Sequence, residues 1–450
     1  MNLTFWIVVC ASIGGILYGY DLGVFPGAIY SIQHDIGLTV GEVDLVGGSV
    51  FMGGLIGALL TGYLSDQFGR RVMIIVGSIV FVLGALMTIA ATSFYTFSFS
   101  RIVLGIAIGV VTVAVPSYLS EIAPTRIRGR SVIIFQIFLT IGILLAYIVD
   151  SVLAPSGHWH TMYILIIIPA LILFLSMFYM PESPRWLMNK DREAEALQVL
   201  TLTRPLQEAQ RDLEAMKRAH AEDQRSRWRD LFNRRVALPL TIVLMVAVLN
   251  QLTAINSILI YAPVVFKAIG IKGTQNAINA SIFIGLINFL ATIVGACLVD
   301  KLGRRFLMML GTGGVTIAYI FLALANHFAW PAGASFLGIL CFIFCFAAGP
   351  GAIVWLVLTE LLPTGVRGKG MAVALFANSL TSWAIASVFL EIKNSLGTSM
   401  TFIILSVFTF CYFMVSWKLI PETKQRSLEQ IQADFSKRKT RRSRIIKKGA

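Results

Sequence analysis

Residues 62–71 read GYLSDQFGRR, and residues 296–305 read ACLVDKLGRR. In both, an apolar run stops at a carboxylate, turns at a glycine and resumes behind two arginines. Asp66/Asp300 and Arg71/Arg305 are each 234 residues apart. Two further stretches repeat in the same order. SEIAPTRIRGR (120–130) returns as TELLPTGVRGK (359–369), with Glu121/Glu360 and Arg128/Arg367 both 239 apart. PESPR (181–185) returns as PETKQ (421–425), at an offset of 240. Three motifs in one order at near-constant spacing mark a duplicated chain, its halves joined by the charged segment 185–235.

What lies between the motifs sets the solvent. Of 450 residues, 57% are hydrophobic and 13% charged, an apolar excess beyond the composition of soluble domains. Runs without Asp, Glu, Lys or Arg recur from end to end, among them 72–100, 236–266 and 328–359. A helix needs about 20 such residues to cross a bilayer. Divided at their Gly, Pro and polar breaks, the runs give twelve expected spans, near 4–25, 43–63, 72–91, 97–119, 131–150, 161–180, 236–261, 275–299, 306–326, 333–360, 370–390 and 398–418. The expected fold is an all-α polytopic membrane protein of two pseudo-symmetric six-helix bundles. Its expected parts are a first bundle at 1–184, amphipathic linker helices at 185–235, a second bundle at 236–421 and a basic tail at 422–450.

Of the 37 Lys and Arg, only Lys267, Lys272 and Lys393 fall in loops of one parity, and Arg101 starts a span. The rest lie in loops of the other parity, the linker or the tail, so the positive-inside rule expects both termini in the cytoplasm. That asymmetry accounts for the net charge of +14 without nucleic acid. No basic leader with a cleavage site opens the chain, so the first span is expected to be retained. Cys10, Cys297, Cys341, Cys345 and Cys411 all sit in spans and show no metal-ligand spacing.

Parallel repeats of six spans are the layout of major-facilitator transporters. The paired D-x-x-G-R-R loops, PESPRWL after the sixth span and PET after the twelfth resemble the markers of that superfamily's sugar porter family. NQLTAINSILIYAP (250–263) resembles its Q-Q-L-T-G-I-N signature, and GPGAIVWLVLTELLPTGVRGKG (349–370) its tenth-span signature. The likeness covers nearly the whole chain. It departs at Asn250, where the family usually has Gln, and at Ala254, where the signature has Gly. It departs also at Ile143 and Ser379, where some members have Gln and many have Trp; here Trp383 lies nearby.

The substrate of such a carrier has hydroxyls that both donate and accept, which suits neutral amides and an aromatic face inside the spans. The chain supplies Gln136, Asn250, Gln251, Asn256, Asn288 and Asn378, with Trp355 as the aromatic. All but Asn250 match sugar-binding positions that the resemblance implies. Gln251 and Asn256, five residues apart, point about 140° apart on a regular helix, so they converge better if the seventh span is unwound. At the span ends, Asp66, Arg70, Arg71, Glu121 and Arg128, with Asp300, Arg304, Arg305, Glu360 and Arg367, are expected to form a cytoplasmic gate of state-dependent ion pairs.

One carboxylate stands apart. Asp21, in GYDLG (19–23), lies inside the first span, where a lone charge costs about 3 kcal/mol and is functional by default. Arg101, on the antiparallel fourth span, is its expected partner at matching depth. Proton-coupled members that the chain resembles have Asp and Arg at these positions, whereas facilitative members tend to have Asn for the Asp. The expected function is import of a monosaccharide, hexose or pentose, with a proton by alternating access. It would run without a cofactor, driven by the proton gradient, in a bacterial inner membrane, and each chain would be a complete, monomeric carrier. The alternatives are a facilitative sugar or polyol carrier (inositol, for example) and a non-transporting sugar sensor. The short tail weighs against a sensor. His34, His158, His160, His220 and His327 lie outside the span cores, and no nucleophile or metal constellation points to an enzyme.

Overall fold

The structure, a computed structural model, describes residues 3–124, 127–225, 228–362, 366–422 and 424. The first half holds α1 (Leu3–Ile36), α2 (Val40–Phe68), α3 (Arg70–Ile89), α4 (Phe94–Ile122), α5 (Arg128–Leu153), α6 (Trp159–Leu165) and α7 (Ile167–Phe178). Three helices, α8 (Pro184–Asn189), α9 (Glu193–Thr203) and α10 (Leu206–Arg225), lead to the second half. There α11 (Arg234–Leu252), α12 (Ile255–Ile260), α13 (Ala262–Ala268), α14 (Thr274–Leu302) and α15 (Arg304–His327) precede α16 (Ala332–Ala348) and α17 (Pro350–Leu361). The half ends with α18 (Arg367–Ala386), α19 (Phe389–Leu396) and α20 (Thr398–Lys418). Among these residues eleven helical stretches are long and apolar enough to cross a membrane. The pair at 368–386 and 389–396, bent by 44°, makes a twelfth. The protein is an all-α membrane protein of two six-helix bundles.

The first helix runs well past the expected 4–25 span, and Asp21 stands near the middle of its 34 residues. Pro26 does not stop it, as a proline inside a membrane helix is tolerated when neighbours satisfy the freed backbone groups. Arg101 does not open the fourth span but lies two turns inside it, because the Ser93–Thr96 capping box starts α4 at Phe94.

Small residues let the helix backbones close on one another. Gly15, Gly19, Gly23 and Gly27 recur every fourth residue on α1 and face α5. A Cβ at Gly19 would stand 1.9 Å from the Leu139 carbonyl oxygen. On α2 and α4, Gly53 and Gly57 meet Gly105 and Gly109 in the same way. Such stripes replace the hydrophobic drive that lipid removes, gaining van der Waals contact between backbones. Outward faces stay apolar, with Leu83, Ile317 and Leu337 among the exposed side chains.

The two halves meet along α2 with α18 and α5 with α14. An even number of spans returns the chain to the face where it started, so both α1 and the end of α20 lie at one face, the terminal face. The linker docks there on the first half: Arg204 at the end of α9 gives an Nη2–H to the Ile122 carbonyl that ends α4 (2.7 Å) and pairs with Asp212 of α10.

Candidate functional site

The seventh span breaks where its amides are. After α11 ends at Leu252, Ala254 adopts a left-handed conformation (φ 56°, ψ 25°) and α12 restarts at Ile255. The break turns Asn256 back on Gln251. Asn256 Nδ2 donates to Gln251 Oε1 at 3.0 Å and to Ser382 Oγ at 3.0 Å, while Gln251 Nε2 donates to Asn378 Oδ1 at 3.0 Å. Residues from α11, α12 and α18 thus form one uncharged network, with Gln251, Asn378 and Ser382 buried. Ser382 was missed by sequence reasoning. It lies one turn after Asn378 on the same face of α18, and that spacing was its only signal.

The other amides are not joined to this network. Asn250 is turned away: its Oδ1 accepts from Tyr412 of α20 at 3.4 Å, so it ties α11 to α20 as intramembrane amides commonly do. It was expected among the substrate ligands; here the roughly 100° turn between Asn250 and Gln251 gives the two amides different neighbours. Asn288 is buried on α14 and Gln136 half-buried on α5. Trp355 of α17 packs partly against the apolar core of the second half.

Asp21 and Arg101 are completely buried and bonded, with Arg101 Nη1 at 2.7 Å from Asp21 Oδ1. The guanidinium also lies 5.1 Å from the centre of the Phe25 ring. Helix geometry explains the meeting. Asp21 is about 200° around α1 from Gly19, so it points away from the α5 seam and toward α4. Asp21 Oδ2 and Arg101 Nε and Nη2 have no hydrogen-bond partner among the described residues.

At the terminal face the duplicated motifs are wired alike. Arg70 pairs with Glu121 (3.1 Å) and with Asp66 (3.0 Å). Arg304 pairs with Glu360 (3.4 Å). Arg71 donates to the Met177 and Phe178 carbonyls at 2.8 and 2.7 Å, and Arg305 to the Trp417 carbonyl. Gly69 and Gly303, at φ 100° and 88°, make the turns before the arginines. Glu182 accepts the N–H groups of Arg70, Arg71 and Ser183, and Glu422 those of Arg304 and Arg305. Burial pushes the Glu182 carboxyl up against the pull of those donors. These two glutamates belong to the quoted PES and PET motifs but were not expected as members of the gate. Glu121 further accepts from Ser183 Oγ. The side chains of Arg128, Asp300 and Arg367 lie outside the described residues.

The opposite face is held shut by different groups. Asp44 of α2 accepts the Leu390 and Glu391 N–H groups at 3.1 and 2.9 Å, capping α19 from the other half. Tyr261, just after α12, lies beneath them, its hydroxyl 3.3–3.5 Å from the Val43, Asp44 and Ala386 carbonyls. On the neighbouring seam Tyr147 donates to the Leu259 carbonyl at 2.9 Å, and Ser151 donates to Asn279 at 2.9 Å.

Comparison with known proteins agrees with this architecture. Residues 7–435 match the family model described as sugar (and other) transporter. The chain is 34% identical to a probable metabolite transport protein, CsbC, of Bacillus subtilis, over 96% of this chain and 95% of that one. It is 33% identical to the galactose-proton symporter of Escherichia coli, over 97% and 95% of the two chains. Among solved structures, the major facilitator proton:xylose symporter XylE superposes with a TM-score of 0.84 at 28% identity, over 96% of this chain and 99% of that one. A duplicated twelve-span chain with matched charged motifs and this match across nearly its whole length is a transporter, and it belongs to the sugar (and other) transporter family of the major facilitator fold.

Proposed function

We propose that the protein imports a monosaccharide, a hexose or pentose, together with a proton, by alternating access. The observation that carries this reading is the Asp21–Arg101 pair, fully buried in mid-membrane in a bundle whose other half offers an uncharged amide network. An intramembrane carboxylate with a single cationic partner exchanges a proton when the pair opens, and a binding energy that differs between the two states is what coupling requires. The names of relatives support the same reading: one is a galactose-proton symporter and a structural neighbour a proton:xylose symporter, so both a hexose and a pentose are carried in this family.

In the cycle, Asp21 takes a proton from the face opposite the termini, releases Arg101, and the pocket of Gln251, Asn256, Asn378 and Ser382 binds sugar, with Asn288 and Trp355 on the same half and Gln136 approaching from the other half as the halves move. The bundles 1–184 and 236–421 then rock about the site, and at the terminal face the motif cluster of each half moves as an intact unit away from the other to let sugar and proton leave. The linker 185–235 tethers the halves, and the basic tail expected at 422–450 lies, but for Glu422 and Lys424, outside the described residues. The excess of Lys and Arg supports a cytoplasmic position for both termini, and the bacterial relatives support a bacterial cell membrane, the inner one where there are two. A monomer suffices, and no cofactor enters the cycle.

Sugar exchange across liposomes containing the purified chain tests the substrate class, with labelled hexoses, pentoses and inositol compared side by side. The expected result is exchange of one or more monosaccharides that falls at least tenfold in Gln251→Ala. Exchange confined to inositol would make the protein a polyol carrier, and binding with no exchange would make it a sensor.

A further inference from the structure

Asp150 is a second buried carboxyl that the coupling pair leaves unused. It stands near the end of α5 and is only 1% exposed. Its Oδ2 accepts the Gly27 N–H at 2.8 Å, while Oδ1 has no hydrogen-bond partner among the described residues. Arg101, the fully buried cation of this half, is committed to Asp21. The position is built rather than incidental. It closes the glycine stripe of α1, next to Pro26, and a Cβ at residue 27 would stand 2.2 Å from Asp150 Cγ. Glycine alone lets the carboxyl reach the α1 backbone.

The groups around it lead toward Asp21. Tyr20 from α1, Tyr147 from α5 and Tyr163 from α6 lie within electrostatic range of Asp150, and Tyr163 within range of Asp21 and Arg101 as well. From α14, packed on α5 at this level, come the neutral side chains of Gln275 and Asn279. Tyr20 and Tyr147 spend their hydroxyl protons on the Met162 and Leu259 carbonyls. Tyr163 does not: its hydroxyl is buried without a hydrogen-bond partner among the described residues, as are Asp150 Oδ1, Asp21 Oδ2 and two nitrogens of Arg101. Buried polar atoms of this kind are where proteins hold internal water, and a tyrosine hydroxyl both donates and accepts. Along α1, Gly27 lies six residues beyond Asp21, about 9 Å nearer the face opposite the termini. One turn before Asp150, Tyr147 crosses to the second half, and the next residue, Ser151, does the same, so rocking of the halves changes its surroundings.

We propose that Asp150 is a second protonatable site on the proton route, lying between the opposite face and Asp21, with Tyr163 as the hydroxyl that relays between them. The proton enters on Asp150. Tyr163 accepts it and gives its own hydroxyl proton onward, and Asp21 receives it as Arg101 is released; Asp150 and Tyr163 end as they began. This inference rests on the proton-coupled reading above, and it adds a carboxyl that no gate or sugar contact requires.

The test uses the full chain in liposomes with a sugar that it exchanges, comparing wild type, Asp150→Asn, Tyr163→Phe and Asp21→Asn. In Asp150→Asn, sugar exchange persists while the pH profile of proton-driven uptake moves acid by about one unit, a tenfold higher proton requirement, with half-saturation by sugar unchanged. Tyr163→Phe moves the profile the same way. A profile for Asp150→Asn superimposable on wild type overturns the proposal. Infrared titration of the Asp21→Asn protein supplies a readout that does not depend on the Asp150 variants folding. Because Asp44 is buried too, the band is assigned through Tyr163: a buried carboxyl that titrates in Asp21→Asn and shifts in Asp21→Asn/Tyr163→Phe supports the proposal, and no such band overturns it. If wild type moves no protons with sugar, the coupled reading falls too, a result distinct from coupled wild type with unaltered Asp150→Asn.

Discussion

Ala254 shows how one side chain shapes the site. Its positive φ puts a Cβ where L-residues lose about 1–2 kcal/mol, and the break it occupies is what folds Asn256 onto Gln251. Replacing it with glycine removes that strain, so Ala254→Gly is expected to raise stability by up to about 1 kcal/mol, and Ala254→Val to lower it by about 1–2 kcal/mol. Thermal unfolding in detergent with and without sugar checks both, and sugar should still stabilise the glycine variant. At this scale the sequence was readable where a polar residue interrupted an apolar span: Asp21, Gln251, Asn256 and Asn378 declare themselves that way. It was unreadable where direction mattered. Asn250 is as conspicuous as its neighbour, yet one step of helix turns it to Tyr412. Ser382 carries a hydroxyl of the kind that many spans bond to their own backbone, so only its spacing from Asn378 distinguishes it.

Among elements, the α1–α5 seam and the cap on α19 divide the labour of rigidity and motion. The seam joins two helices of one half through backbone contact at Gly15, Gly19 and Gly23, which have no room for a side chain. Gly19→Val is therefore expected to force α1 from α5 and to abolish recoverable folded protein, read as loss of a monodisperse peak on size exclusion. The cap, by contrast, crosses between halves and must break in the cycle. Asp44→Ala removes two charge-assisted bonds to backbone N–H, each worth about 1.5–3 kcal/mol. It should shift the population at least tenfold toward opening of that face. Spin-label distances between the ends of α2 and α19 would lengthen; an unchanged distance distribution would mean the cap does not hold the halves. Span number and order were legible from hydropathy alone. The interruptions in the sixth and tenth spans, at Ile166 and Gly349, were not placed from sequence, because they follow from packing between helices and not from local composition.

For the whole molecule, duplication is the organising fact. Glu182 and Glu422 cap the helices that follow Gly69 and Gly303, and Arg70–Glu121 and Arg304–Glu360 tie the same pairs of spans in each half. These links hold each bundle as a unit at the terminal face, while Asp44 and Tyr261 join the two bundles at the opposite face. The repeat could be read because charged motifs stand out against apolar spans. Which half of each pair of charges stabilises a bundle and which senses its partner could not, since both uses need the same residues. The halves also differ: among the described residues, the first bundle alone buries an Asp–Arg pair and the second alone assembles an amide network. Under the proposed function, that division would put the proton in one half and the sugar in the other, coupled by their rocking. The direct test is a proton measurement on purified protein in sealed liposomes. Sugar is added outside, and a pH dye follows the external medium for wild type and Asp21→Asn. The account predicts sugar-dependent alkalinisation for wild type, abolished in Asp21→Asn while labelled sugar still exchanges. Labelled sugar equilibrating in both proteins with no proton movement would contradict it and leave Asp21–Arg101 as a structural pair.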